Sequence, residues 1–264
     1  MQRQLSLFGT KPVAEDARAK RLHILAWNMQ SPTRVRAAEQ LRWLESQRVD
    51  VLVLTELTHG EGSRFLVEQL ERAGYDVLSA IPRGGKFTTA LCVRGRSPQR
   101  LEQTEEFHSS RLQGCKLNVG GRNVSILGVY APTGWYNTPP ERLAYRRKFQ
   151  QDLVHLVSSS DPECIVCGDL NIIEPGLGIV VPGLEDAGLY RGLLALGYCD
   201  AYRLMNPQGA DVSWVGPDGH RLRLDHCMVS DSLRTQVTSC HIDHSPRRLE
   251  LSDHSAVGLT IEVS

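Results

Sequence analysis

The 264-residue sequence predicts an α+β fold, a four-layer α/β sandwich in which two mostly antiparallel sheets pack face to face with helices outside. Three observations predict it. Short, wholly apolar runs such as Val51-Leu52-Val53-Leu54 fit strands buried on both faces. Strand and helix patterns alternate, give way to short strands, and then repeat the sequence of patterns. The apolar strands also end abruptly in polar residues able to do chemistry, as in Gly168-Asp169-Leu170-Asn171.

The elements follow in order. Residues 1–20 lack a sustained period and read as a flexible tail, leaving 21–264 as a single domain. Residues 22–27 read as a strand. Residues 35–47 carry Val35, Ala38, Leu41 and Leu44 at helical spacing, and 51–54 form the next strand. Residues 63–73 read as a helix ended by Gly74. Strands are expected at 88–93, 111–119 and 123–130, the last two joined as a hairpin by Gly120-Gly121. A helix begun by Pro139-Pro140 runs to 157, a strand covers 164–167, and a helix over 183–196 stops at Gly197. Three strands, 222–229, 235–242 and 255–263, complete the chain.

Composition narrows the class. With 30 Lys+Arg against 30 Asp+Glu, the net charge is zero, which excludes a whole-molecule polycation but not a local basic face. The 41% hydrophobic and 23% charged fractions are those of a globular protein. Seven irregularly spaced cysteines and no recognisable signal peptide fit free thiols in a reducing, cytoplasmic setting. No apolar run approaches the ~18 residues that span a bilayer. Cys164 and Cys167 form a CxxC without a second ligand pair, which favours a buried strand over a zinc site. A monomer is expected.

The strand ends carry the functional signal. They are Trp27-Asn28, Thr55-Glu56, Val129-Tyr130, Asp169 to Asn171, Leu224-Asp225 and Ser252-Asp253-His254. Side-by-side strands would bring these ends to one rim, where the carboxylates repel unless a cation neutralises them. Clustered carboxylate and amide oxygens suit Mg²⁺ or Mn²⁺. Taken one at a time, each residue also has a structural use: Asn28 could cap a helix, and Asp169 with Asn171 could build a turn.

With Leu54-Thr55-Glu56, Gly128-Val129-Tyr130-Ala131-Pro132, Gly168-Asp169-Leu170-Asn171, Ser213-Trp214, Arg223-Leu224-Asp225 and Ser252-Asp253-His254 in this order, the sequence resembles the endonuclease/exonuclease/phosphatase superfamily. The resemblance covers about residues 22–262. The stretch from Cys199 through Arg203 and Asn206-Pro207-Gln208 resembles the exonuclease III and AP endonuclease branch. It implies a DNase I-like fold and a divalent-metal-dependent DNA nuclease, processing 3′ ends or abasic sites in repair or replication. It implies Glu56, Asn28 and Asp253 as metal ligands, Asp169 as the base for the attacking water, and Asn171 as its orienting partner. His254, held by Asp225, would donate to a phosphate oxygen, and Tyr130 would contact the phosphate. Trp214 would lie against substrate. Gln30 stands where relatives often carry Asn or Asp near the metal, and with an oxygen but no charge it implies a weaker metal site; the segments after Asn171 and from Trp214 to Arg223 are short, which leaves abasic-site specificity open. A phosphatase or phosphodiesterase acting on RNA, nucleotides or phospholipid head groups would use the same rim. A non-catalytic clamp-tethered module is a third reading.

DNA as a partner draws on basic segments: Arg83 and Lys86 in one, Arg146 and Arg147 in another. These could equally be solvated faces. Trp135 and Tyr136 could stack on a base. In the tail, Gln4-Leu5-Ser6-Leu7-Phe8 matches the short peptide by which bacterial polymerases and repair proteins bind the sliding clamp, with Leu7 and Phe8 filling an apolar pocket.

Overall fold

The computed structural model describes residues 20–79, 87–102, 110–134, 138–176 and 187–263. In chain order the elements are β1 (Arg21–Asn28), α1 (Arg34–Gln47), β2 (Val51–Leu57), α2 (Glu61–Arg72), β3 (Tyr75–Ser79), β4 (Thr88–Arg94), β5 (Gln99–Arg100), β6 (Leu112–Val119) and β7 (Arg122–Tyr130). Then come α3 (Pro140–Ser158), β8 (Cys164–Asp169), α4 (Gly188–Ala195), β9 (Tyr198–Asp200), α5 (Ala201–Met205), β10 (Trp214–Val215), β11 (Arg221–Leu222), β12 (Asp225–Ser230), β13 (Val237–Asp243), α6 (Ser245–Arg248) and β14 (Ala256–Glu262).

Among the described residues twelve of these strands form two six-stranded sheets, ordered β13-β14-β1-β2-β4-β3 and β5-β6-β7-β8-β12-β9, and β10 and β11 pair as a separate antiparallel hairpin. Each sheet has one parallel pair, β1 with β2 and β7 with β8. All other pairings are antiparallel. The parallel pairs face each other across the sandwich, β1 against β8 and β2 against β7. Their carboxyl ends therefore meet at the same rim.

Period-two alternation builds the layers. Leu22, Ile24, Ala26, Val51 and Val53 point inward and join Val124, Ile126, Ile165, Cys167, Cys227 and Val229 in one core between the sheets. Leu25, Trp27, Leu52 and Leu54 point the other way, onto Ala37, Leu41 and Leu44 of α1 and Leu66 and Leu70 of α2. On the far side Leu127, Val129 and Val166 meet Phe149 and Leu153 of α3 and Leu189 and Leu193 of α4. Both faces of both central pairs are thus buried, which is why these strands read as continuous apolar runs. The sheets approach closely at Gly128, where a Cβ would come within 3.0 Å of Val53.

Local chemistry sets the boundaries. Thr33 caps α1 by accepting from Arg36 N at 3.3 Å. Gly120 and Gly121, both at positive φ, make the two-residue hairpin between β6 and β7. The strand expected over 222–229 is broken after Leu222. The Ser213 hydroxyl accepts from both Leu224 N and Asp225 N at 3.0 Å, so those amides leave the ladder. The helix expected over 183–196 begins at Gly188, its first four expected positions lying outside the described residues. Strands β3 and β9 carried too little apolar pattern to be expected. All seven cysteines are free. No helix among the described residues is long and apolar enough to cross a membrane.

Candidate active site at the strand-end rim

The alternation that fills the core also aims the rim. Asn28 shares parity with Ile24 and Ala26, Tyr130 with Val124 and Ile126, Asp169 with Ile165 and Cys167, and Asp225 with Cys227 and Val229. Each polar side chain therefore extends the inward face one step beyond the apolar residues. Register completes the convergence. Tyr130 lies beside Asp169 on β7 and β8, and Asp169 is opposite Asp225 on β8 and β12.

The hydrogen bonds knit the two sheets together. Asn28 Nδ2 donates to Asp169 Oδ2 at 2.9 Å, and Tyr130 Oη donates to Glu56 Oε1 at 2.9 Å. Asp169 Oδ1 accepts from Asn171 N at 3.1 Å, and Asn171 Nδ2 donates to Ala131 O at 2.9 Å. His254 Nδ1 meets Asp225 Oδ2 at 2.7 Å, leaving Nε2 as the nitrogen able to donate to a substrate. Trp214 Nε1 donates to Asp253 Oδ2 at 3.0 Å.

Two backbone features place these groups. The β2–β4 register shifts between Leu54 and Leu57, and within that bulge Glu56 adopts φ 52°. A non-glycine residue there costs roughly 1 kcal/mol or more, which the surrounding structure must offset. Gly168 has φ +135°, and a Cβ on it would lie 2.2 Å from Val129 O, so only glycine lets β8 run beside β7 at this point.

Electrostatics follow from burial and crowding. Asn28, Asp169, Asp225 and His254 are all buried, while Glu56 and Asp253 are half-buried. Burial pushes the Asp169 carboxyl up to about 8, the negative charges of Asp225 and Glu56 add to that, and His254 and the Asn28 amide oppose it. Burial alone would lower the His254 pKa, but the Asp225 carboxylate overrides it and raises it to about 10. The imidazolium is held at neutral pH. Tyr130 is raised by burial and by Glu56, so its hydroxyl remains a donor.

The residues expected to hold the ion carry the oxygens that a hard divalent ion takes. Glu56, Asn28 and Asp253 offer oxygens only, and Asp253 Oδ1 is buried without a hydrogen-bond partner. Asp225 Oδ1 is likewise unpartnered. Asp169, Asp225 and His254 also bring ligand atoms within 4.8 Å of one another, but Asp225 and His254 are already bonded to each other. That trio is better suited to holding protons than an ion.

The expected binding residues fare differently. Trp214 is buried, and its indole N–H orients Asp253. Arg146 belongs to no basic surface: it is 2% exposed and donates to Asn171 O at 2.9 Å, so it supports the loop carrying Asn171. Helical periodicity explains this, since Arg146 shares the inward stripe of Phe149, Gln150 and Leu153 on α3. Arg147 lines a cavity of about 470 Å³ with Gln151, Val154 and Gly188, and no rim residue lines it. Arg83, Lys86, Trp135, Tyr136, Gln4, Leu5, Leu7 and Phe8 lie outside the described residues.

Sequence reasoning missed the braces behind the rim. Gln40, fully buried on α1, donates to Met29 O at 3.0 Å and Leu251 O at 2.7 Å, tying the loop after Asn28 to the loop before Asp253. Ser252 Oγ donates to Asn28 O at 2.7 Å and accepts from His254 N at 3.1 Å. Arg36 donates to Gln30 O and Ser31 O. The Arg111 guanidinium lies 4.7 Å from the Tyr130 ring centroid. Gln40 had a readable signal, a polar residue amid the apolar stripe of Ala37, Leu41 and Leu44.

The chain belongs to the Endonuclease/Exonuclease/phosphatase family, which it matches over residues 25–254. A DNA-(apurinic or apyrimidinic site) endonuclease of Arabidopsis thaliana is 26% identical over 182 residues, 50% of this chain and 49% of that protein. The chain thus spans about half the length of that curated relative. Among solved structures, the 3′ phosphatase NExo from Neisseria bound to product DNA hairpin superposes with TM-score 0.75 at 22% identity, covering 91% of this chain and 99% of that one. An AP endonuclease from Archaeoglobus fulgidus gives 0.75 at 22% identity, with 92% and 100% covered. Both likenesses concern the fold.

Proposed function

We propose that this chain is a divalent-metal-dependent DNA nuclease that hydrolyses phosphodiesters at 3′ ends or abasic sites in repair or replication. The observation that carries the reading is the buried Asn28–Asp169 bond beside the Asp225–His254 pair. A carboxylate fixed by an amide, next to a held imidazolium, is what water attack on a phosphate requires.

In its ionised form, which the His254 charge and the Asn28 amide favour against burial, Asp169 takes the proton of the attacking water. Asn28 and the Asn171 backbone amide hold its two oxygens, so the carboxylate cannot turn away. His254, charged by Asp225, donates through Nε2 to a phosphate oxygen as negative charge grows there. Glu56, Asn28 and Asp253 would hold Mg²⁺ or Mn²⁺, which when bound polarises the phosphoryl group and stabilises the departing oxygen. Tyr130 holds Glu56 in place through its hydroxyl.

DNA as the substrate is favoured by the names of the similar proteins, an AP endonuclease and a 3′ phosphatase bound to a DNA hairpin. The peptide Gln4-Leu5-Ser6-Leu7-Phe8 would tether the enzyme to a sliding clamp in the cytoplasm. Capture by the clamp that survives Leu7→Ala with Phe8→Ala rules the tether out. The deciding experiment is a labelled substrate panel in Mg²⁺ and in Mn²⁺: nicked, 3′-recessed, abasic and single-stranded DNA, RNA, and a small phosphomonoester. Cleavage confined to RNA or the monoester overturns the DNA assignment. No turnover on any substrate supports a binding module instead.

A further inference from the structure

Of the basic residues expected to hold DNA, Arg83 and Lys86 lie outside the described residues, Arg146 is buried and Arg147 lines the cavity on α3; three other arginines sit on elements that contact the rim. Arg221 lies on β11, paired with Val215 and one step from Trp214, whose indole holds Asp253. The hairpin reaches the rim directly, because Trp214 bridges to His254 and Val215 N donates to Asp253 O at 3.4 Å. Arg247 and Arg248 close α6, which leads into the loop carrying Asp253 and His254. Arg247 Nε donates to Ser255 Oγ at 3.2 Å, the residue after His254.

Burial lowers the Arg247 pKa, and the charges of Arg221 and Arg248 lower it further, so the three sense one another. Among the described residues no carboxylate forms an ion pair with any of them. Of the acids on these elements, Asp211 faces His244 at 3.3 Å, Asp218 faces His220 at 3.6 Å, Asp243 accepts from Ser245 N at 2.7 Å, and the exposed Glu250 forms no ion pair with the three arginines. Like charges gathered on a surface cost Coulomb energy that an anion would offset. Arginine also suits phosphate because its planar fork can donate two hydrogen bonds at once.

We propose that Arg221, Arg247 and Arg248 form a phosphate-binding patch that grips the DNA backbone beside the rim. This rests on the DNA-nuclease reading, and it names the surface along which the strand next to the scissile phosphate runs. Two elements that already contact Asp253 and His254 supply the patch, so gripping the backbone and aligning the reacting phosphate are mechanically linked. Duplex DNA carries a charge every ~1.7 Å of helix axis, so a strand crossing the rim carries phosphates over this ground.

The test uses the full chain in EDTA, a labelled duplex, and anisotropy titrations between about 50 and 200 mM salt. Arg221→Glu with Arg248→Glu should weaken binding at least about tenfold and flatten the slope of log affinity against log salt by about 2. Arg221→Lys with Arg248→Lys should keep most of the slope. Melting curves report whether the variants fold, and Arg248→Glu alone, on an exposed position, serves if the pair does not. Unchanged affinity and slope in the charge-reversed chain, while the parent cleaves DNA in Mg²⁺, overturns the patch and leaves the nuclease reading standing. A flattened slope in a chain whose parent cleaves no nucleic acid retains the patch and overturns the nuclease reading.

Discussion

Asn28 and Asp169 belong to different sheets, yet the amide of one donates to the carboxylate of the other over 2.9 Å inside the protein. The bond crosses the sandwich at the end of its core. It makes the position of the base depend on how the two sheets meet.

Asn28→Ala should therefore lower turnover on labelled DNA by roughly 10²-fold or more, the size expected when one preorganised donor is lost. Thermal unfolding should show a loss of about 1–3 kcal/mol, because a buried carboxylate oxygen is left without its partner.

Glu56→Gln should raise the Mg²⁺ concentration needed for half-maximal activity, and Asp169→Asn should abolish turnover while leaving DNA affinity nearly unchanged. A metal titration reads the first, and binding in EDTA together with rates in Mg²⁺ reads the second. An unshifted metal titration in Glu56→Gln would place the ion elsewhere.

Arg146→Met separates two roles for one arginine. As a brace under the Asn171 loop, its loss should slow cleavage with little change in DNA affinity or salt slope. As a surface DNA contact, its loss would instead weaken binding and leave the catalytic step alone.

Asp200 gives a pH prediction. It is buried, which alone would raise its pKa, but His226 and Arg223 lower it well below the usual carboxylate range, with Arg223 Nη1 at 2.6 Å. A depressed folded-state pKa contributes stability that is fully present above the unfolded value of ~3.9 and lost as pH falls below it. The melting temperature should therefore drop on acidification below about pH 4, and Asp200→Asn should shrink that part of the drop. At neutral pH the same substitution should also lower stability, but by less than a wholly unpaired buried charge would cost, because Arg223 keeps its pair with Glu174.

The rim was legible as polar residues that end apolar strands, among them Asn28, Asp169 and Asp225. Which side they face was not, because a strand buried on both faces carries apolar residues of both parities, and only the packed sheets show that these three point inward. The partners that the braces reach were not legible. Gln40 reaches Leu251 across 211 positions, and Ser252 reaches Asn28 across 224, separations on which no local pattern bears. Arg146 misled for a related reason. A run of basic residues on a helix looks like one charged face until the periodicity is counted, and one of the run then falls on the buried stripe.

The close approach at Gly128 has a consequence for how such an enzyme could change over time. A side chain added there would have to push Val53 aside and wedge the sheets apart. The groups on either side of the cleft would then separate although none had been replaced. Interior volume thus acts as a shim beneath the catalytic rim. Rate and substrate reach could drift through swaps of one small apolar residue for another, at positions no substrate ever touches.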